Sequence, residues 1–227
     1  NTVWVGDLKY KDLSGPDGKP DGVINEYDKT NIGSPMPDFT FGWTNTFRYK
    51  NFDLSVFING SYGNKVFNYL GMKLTHMNSA WINQLNTIAD RAQLIPVDAN
   101  KVYANGGKWY DDVTNVTVAN SATSIPRASI QDPNDNDRVS DRYVEDGSYI
   151  CLKNITFGYT FPKNMIKKVG LENLRVYANI QNLLTLTKYD GYDPEIGVST
   201  ASANVYGLDN GRYPSPTVYS FGLNVSF

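Results

Sequence analysis

The sequence predicts an all-β chain of about five antiparallel strands from the wall of a large transmembrane β-barrel, joined by long extracellular loops. Three observations lead there. Five segments alternate apolar and polar side chains, the period-two pattern of a strand with unlike faces. Each has roughly the 9–11 residues that cross a bilayer when tilted. The connections between them are tight, very long, short and long in turn. Antiparallel pairing then gathers the long loops at one end of the sheet and the turns at the other. Outer-membrane barrels sort their loops this way, with short periplasmic turns and longer extracellular loops.

Residues 1–38 read as an extracellular loop segment. Val3–Tyr10 is a short extended stretch. The run D-L-S-G-P-D-G-K-P-D-G-V-I-N-E-Y-D (12–28) holds too much Gly, Pro and Asp for an element interior and predicts a structured loop. The first strand, Phe39–Lys50, sets Phe39, Phe41, Trp43, Phe47 and Tyr49 against Thr40, Gly42, Thr44, Thr46 and Arg48. The second, Phe52–Tyr62, sets Phe52, Leu54, Val56, Ile58 and Tyr62 against Asp53, Ser55, Asn59 and Ser61. Phe57 is its exception, and a tight turn at Lys50-Asn51 joins the pair. Residues 64–147 form a long loop with a partial helical stripe over 65–91 (Leu70, Leu74, Met77, Trp81, Leu85, Ile88). Its most polar part, Q-D-P-N-D-N-D-R (131–138), reads as solvated loop.

The third strand covers 149–161. Ile155, Phe157, Tyr159 and Phe161 share a face, but Ile150 and Leu152 are out of phase with them, which predicts a bulge near Lys153. A short helical turn over 162–172 leads to the fourth strand, 173–184. There Leu174, Val176, Ala178 and Ile180 oppose Arg175, Tyr177, Asn179 and Gln181. The 185–216 loop follows. The last strand, 217–227, sets Tyr219, Phe221, Leu223, Val225 and Phe227 against Ser220, Gly222, Asn224 and Ser226.

Composition narrows the function classes. A net charge of −2 gives none of the basic surface of a nucleic-acid binder. One cysteine, Cys151, and one histidine, His76, leave no internal disulfide, multi-His zinc site or Cys/His catalytic set within the chain, and no enzymatic activity is expected. No apolar run approaches the ~20 residues of a membrane helix, which says nothing against barrel strands. An amphipathic strand also suits a soluble or surface-anchored β-sandwich that binds glycans through its aromatics. Phe221, Leu223 and Val225 separate the two: they face lipid in a barrel and pack on a second sheet in a sandwich.

Several residues are candidates for binding. The acidic loop offers calcium ligands in two registers. One starts at Asp17 and continues through Asp21, Asn25 and Asp28, with the poor ligand Lys19 at its third position. The other joins Asp12 and Ser14 to Asp21, Asn25 and Asp28 across an insertion, Pro16–Pro20. The alternative is an Asx-rich turn that needs no metal. Arg48, Asp53, Arg175 and Gln181 fall on the polar, lumen-facing side and suit the pore wall or contact with a plug. Tyr189, Tyr192, Tyr206 and Tyr213 can stack on sugar rings, contact a lid, or simply pack within their loop.

Six stretches also carry a family resemblance: G-D-L-K-Y-K-D-L (6–13), D-G-V-I-N-E-Y-D-K-T-N-I-G (21–33), F-T-F-G-W-T-N-T-F-R-Y-K-N-F-D-L-S-V-F-I-N-G-S-Y-G (39–63), Y-V-E-D-G-S-Y-I-C-L-K-N-I-T-F-G-Y-T-F-P (143–162), L-R-V-Y-A-N-I-Q-N-L-L-T-L-T-K-Y-D-G-Y-D-P-E (174–195) and G-R-Y-P-S-P-T-V-Y-S-F-G-L-N-V-S-F (211–227). In order, they resemble the C-terminal third of SusC/RagA-type TonB-dependent outer-membrane transporters of Bacteroidetes. Residues 64–142 match loosely, and Cys151 stands where the family usually has an Arg. Family members that lack the insertion often read D-x-N-x-D-G-x-I-D, which favours the second calcium register. The resemblance implies a barrel of about 22 strands around a plug, in the bacterial outer membrane. It also implies a SusD-like surface lipoprotein as lid and TonB-driven import of glycans, oligosaccharides or peptides. By the same resemblance the chain is a C-terminal portion, residues 39–227 being barrel strands with their loops, with the plug and upstream strands lying outside it.

Overall fold

The computed structural model describes residues 3–78, 81–196 and 205–227. Its elements in order are β1 (Phe39–Tyr49), β2 (Phe52–Tyr62), β3 (Lys65–Asn68), α1 (Tyr69–Thr75), β4 (Leu94–Pro96), β5 (Val116–Val118), β6 (Val144–Asp146), β7 (Tyr149–Thr160), α2 (Lys163–Ile166), β8 (Asn173–Thr187), β9 (Leu208–Asp209) and β10 (Val218–Ser226). Short 3-10 turns punctuate the loops. No helix among the described residues is long and apolar enough to cross a membrane.

The chain divides into two compact units. One combines Asn1–Ile32 with Tyr69–Tyr143; the other combines Gly33–Asn68 with Val144–Phe227. The long connection thus groups with the N-terminal residues, not with the strands that it joins. The first unit holds α1 and the antiparallel pair β4–β5. Its buried apolar residues include Met72, Ile88, Ala92, Val116 and Tyr143. The helical stripe read over 65–91 resolves into β3, α1 and a 3-10 turn at Asn86–Asp90, with 79–80 outside the described residues.

The second unit is built on a five-stranded sheet in the order β1-β2-β7-β8-β10, antiparallel throughout. All five long strands appear where the alternation places them. The register aligns like with like across the sheet. Phe47, Leu54, Phe157, Ala178 and Phe221 form one apolar row, and Tyr49, Phe52, Tyr159, Val176 and Leu223 another. On the reverse face, Thr46, Ser55, Thr156, Asn179 and Ser220 form a polar row. Cross-strand neighbours of this kind sit close enough to interact, so the row is the unit of stabilisation.

Among the described residues, none covers the apolar face. Phe221 is 84% exposed and Leu223 67%, and Phe39, Trp43, Phe47 and Tyr219 are exposed as well. Burial in a second sheet, which the sandwich reading requires, does not occur among the described residues. Aromatics cluster at both ends of this face. Phe39 stacks on Tyr62 with ring centroids 5.4 Å apart at the loop end. Tyr159 meets Phe52 at 4.7 Å and Phe161 at 5.0 Å at the turn end. Paired aromatic girdles flanking an apolar band are the outer surface of a membrane barrel.

The expected bulge is present. The β2–β7 register runs from Phe57 opposite Asn154 to Ile58 opposite Leu152, so Lys153 is the extra residue. Across β8 the register moves from Asn154 opposite Gln181 to Leu152 opposite Leu184, with Asn182 at φ +51°. The bulge resets the phase, so that Leu152 and Ile155 share the apolar face although an odd number of positions separates them. It also frees Lys153, whose ammonium reaches the Glu195 carboxylate at 2.7 and 2.9 Å. Deleting Lys153 should remove the extra residue and leave Ile150 and Leu152 on the apolar face of a regularly alternating strand, so the folded receptor should persist on a heat-modifiability gel, as it should for Lys153→Ala, with only the contact to Glu195 lost.

Candidate functional site

The polar face carries the candidate wall residues. Asp53 on β2 and Arg175 on β8 are separated by β7 and meet across it: Nε donates to Oδ1 at 2.9 Å and Nη2 to Oδ2 at 2.5 Å. This two-pronged pair passes over Gly158, which lies opposite Asp53. A Cβ at position 158 would collide with both side chains, so the glycine is what lets strands two apart share an ion pair. The Arg175 guanidinium also lies 5.0 Å from the Tyr177 ring centroid, and that ring covers Gly222 on β10. Arg48 sits opposite Asp53 from the other side. One row up, Asn179 Nδ2 donates to Asn154 Oδ1 at 3.0 Å and Thr156 Oγ1 at 2.7 Å. Gln181 lies opposite Asn154 and Val218. Arg48, Asp53 and Arg175 therefore form one charged belt, with Gln181 two rows away.

The four loop tyrosines separate. Tyr189 is buried, and its hydroxyl donates to Asp209 Oδ2 at 2.5 Å. Asp209 Oδ1 also accepts from the amides of Gly211 and Arg212. Burial first, and the Asp209 carboxylate second, raise the Tyr189 pKa. Tyr189 is therefore a loop anchor. Tyr192, Tyr206 and Tyr213 are exposed and remain free to meet a ligand or a lid. Residues 197–204 of this loop lie outside those described.

The acidic loop brings the second register together. Asp28 Oδ1 accepts from the amides of Leu13 and Ser14 at 2.6 and 3.2 Å, and Oδ2 from Asn25 at 2.7 Å. Asp12 accepts from the amides of Asp21 and Gly22, Asp21 from Val23, and Asn25 from Tyr27. These contacts do not include Asp17. The amides of Asn25, Leu13 and Ser14 hold the Asp28 carboxyl below its ordinary pKa, Asn25 foremost. A cation in this loop would compete with those amides for the same oxygens.

The segment read as solvated is a buried polar cluster within the first unit. Asn134 is 2% exposed, Asn136 3% and Asp132 6%. Asn136 donates to Asp132 Oδ1 and Asp7 Oδ1, while its own Oδ1 accepts from the Leu8 amide and Asn134 Nδ2. Arg127 Nε lies 2.8 Å from Asp7 Oδ1. His76, Asp132 and Asp137 offer possible ligand atoms within 4.8 Å of one another. His76 Nε2 is hydrogen-bonded to Asp132 Oδ2 at 3.0 Å, and Nδ1 lies 3.1 Å from Asp137 Oδ2. The Asp/Asn spacing of 131–138 was the sequence signal for this cluster, but no periodicity marks such a segment as buried.

Two tests follow from this geometry. Asp53→Ala and Arg175→Ala should each destabilise the folded receptor by about 1.5–3 kcal/mol. The double variant should cost well short of their sum in a denaturant-midpoint cycle. Tyr189 retains its proton above the ordinary tyrosine range of about 10. Its contribution to the loop is therefore complete below that value and lost only as pH rises through the higher, folded one. Tyr189→Phe should remove one tyrosine from the alkaline end of a tyrosinate absorbance titration.

No family model matches the chain. It is 35% identical over 223 residues to TonB-dependent receptor P3 of Formosa agariphila, covering 96% of this chain and 19% of that protein. TonB-dependent receptor P26 of the same organism is 33% identical over 226 residues, covering 98% and 20%. TonB-dependent receptor SusC of Bacteroides thetaiotaomicron is 26% identical over 231 residues, covering 96% and 19%. Among solved structures, the RagAB peptide importer in its closed-closed state superposes with a TM-score of 0.66 at 22% identity, covering 94% of this chain and 20% of that one. The RagAB peptide transporter gives 0.60 at 20% identity, covering 86% and 18%. The chain spans about a fifth of the length of these relatives. With the bare apolar face, the antiparallel order and the sorted loops, these likenesses show that the chain is similar over nearly its whole length to TonB-dependent receptors, SusC among them, and that its five long strands are built as a stretch of barrel wall.

Proposed function

We propose that this chain supplies pore wall and extracellular loops to an importer that carries glycans, oligosaccharides or peptides across the outer membrane. The observation that supports this most is the pairing of unlike faces on one sheet. One face is apolar and uncovered by protein; the other carries the Arg48–Asp53–Arg175 belt and the Asn154–Thr156–Asn179 cluster. In a barrel the first meets lipid and the second lines the lumen. The plug and the other strands of the receptor complete the barrel, TonB supplies the drive, and a SusD-like surface lipoprotein covers the loop end. The exposed Tyr192, Tyr206 and Tyr213 suit contact with that lid or with a sugar ring. This chain's part is to shape the wall and loops, with no reaction assigned to it.

The experiment is uptake of labelled oligosaccharide and peptide pools by cells with and without the full-length receptor gene, in the presence and absence of TonB. Uptake of one pool should require both. If removing the gene left uptake of every pool unchanged, the import reading would fail.

A further inference from the structure

The turns at one end of the five-stranded sheet are basic. The β1–β2 turn carries Lys50, and the β7–β8 turn carries Lys163, Lys167 and Lys168 against Glu172. The residues that flank the strands at the opposite end, Asp38, Lys65, Asp146, Lys188 and Asp190, mix the two signs. All four turn lysines are exposed, and none forms a salt bridge among the described residues. The two turns are neighbours. The Thr160 amide, at the end of β7, donates to Asn51 O, beside Lys50, at 2.8 Å. Because β2 pairs with β7, the turns stand two strand spacings apart, about 10 Å.

Apolar side chains lie among these cations and beyond them. In the β7–β8 turn Ile166 is buried, while Met165 is 61% exposed and Val169 71%. Exposed apolar side chains set among lysines suit a membrane interface, where the lysine stem is buried and its ammonium reaches the headgroups. Further along the apolar face of the sheet there is a hollow. Ala178 stands between Phe157 and Phe221 in one row, and Val176 between Tyr159 and Leu223 in the next row toward the turns. These side chains line the hollow, and the small Ala178 gives it depth. Ala178 is four residues along β8 from Leu174, whose carbonyl accepts from the Phe161 amide where the turn begins. That span is about 13 Å, within the half of a ~30 Å hydrocarbon core that adjoins the turns.

We propose that this end of the wall binds an anionic phospholipid of the periplasmic leaflet: the four lysines hold its headgroup, and an acyl chain lies in the hollow over Ala178. The proposal rests on the apolar face being the lipid face. An acidic soluble protein would match the lysines and leave the hollow bare. A zwitterionic lipid would fill the hollow and leave the lysines unbalanced. A lipid with a negative headgroup matches both, because the charges and the hollow follow one another along the same strands.

Native mass spectrometry of the full-length receptor tests this, after loading in neutral detergent with equal amounts of dioleoyl phosphatidylglycerol and dioleoyl phosphatidylcholine. Phosphatidylglycerol should be retained at least about fivefold over phosphatidylcholine. Combining Lys50→Gln, Lys163→Gln, Lys167→Gln and Lys168→Gln should remove at least about two-thirds of that preference, whereas Lys188→Gln at the loop end should keep it. Ala178→Phe fills the hollow and should lower phosphatidylglycerol retention at least about twofold. Equal retention of the two lipids, a preference that survives the combined lysine variant, or retention that ignores Ala178→Phe would overturn the site. Loss of uptake in the lysine variant with its lipid preference intact would place an acidic protein there and overturn it too. Retention is read without any transported substrate, so failure of the import reading leaves this result standing. Should the lysine variant fail to fold, salt decides the matter. Raising sodium chloride during loading from about 0.1 to about 0.5 M should lower the wild-type preference at least about twofold, and an unchanged preference would overturn the site.

Discussion

One constraint governs the second unit: a period-two strand must put its apolar side chains on a single face, and nothing in the described chain covers that face. Phe47, Leu54, Phe157 and Phe221 line up across four strands, and Phe221 is almost fully exposed. Fully burying one such side chain gains about 1.5–3 kcal/mol, and a row of them cannot be left to water. Lipid resolves this without a second sheet. Once lipid is the outer solvent, the reverse face must be polar, and every backbone group within the membrane must find a partner in a neighbouring strand. The alternation meets the first demand, and antiparallel pairing meets the second for β2, β7 and β8, which have a neighbour on each side.

The same constraint made the strands legible. Alternation is a local signal, and it placed all five long strands to within a few residues. Even the bulge showed, because Ile150 and Leu152 cannot share a face with Ile155 unless one residue between them drops out of the alternation. Phe57 marks the same place from the other strand. It is the large apolar residue on the polar side of β2, opposite Asn154 where the register breaks, with its ring beside Gly42.

The loops were not legible, for the opposite reason. The 131–138 stretch reads as solvent-loving because every residue type in it favours water. Its burial comes from partners far away in sequence: Asp7 and Leu8 beside Asn136, and His76 beside Asp132. Hydrogen bonds between polar side chains leave no periodicity to find. The acidic loop shows the intermediate case. Its Asp and Asn residues announced a structured turn, and the turn formed, with Asp12 and Asp28 accepting from amides on both sides of the Pro16–Pro20 insertion. The spacing alone could not say whether those carboxylates would hold a cation or their own backbone.

The Asp53–Arg175 pair joins the two kinds of information. Sequence placed both residues on the polar face but gave no reason for them to meet, since β7 lies between their strands. The reason is a missing side chain. Gly158 leaves a gap on β7, and the guanidinium and carboxylate close over it. A glycine weakens a strand when considered alone, yet here it admits a two-pronged contact that ties three strands together. Tyr177 over Gly222 repeats the arrangement one strand further on. Where this wall must be polar and still rigid, its glycines are spaces that longer side chains from the neighbouring strands fill.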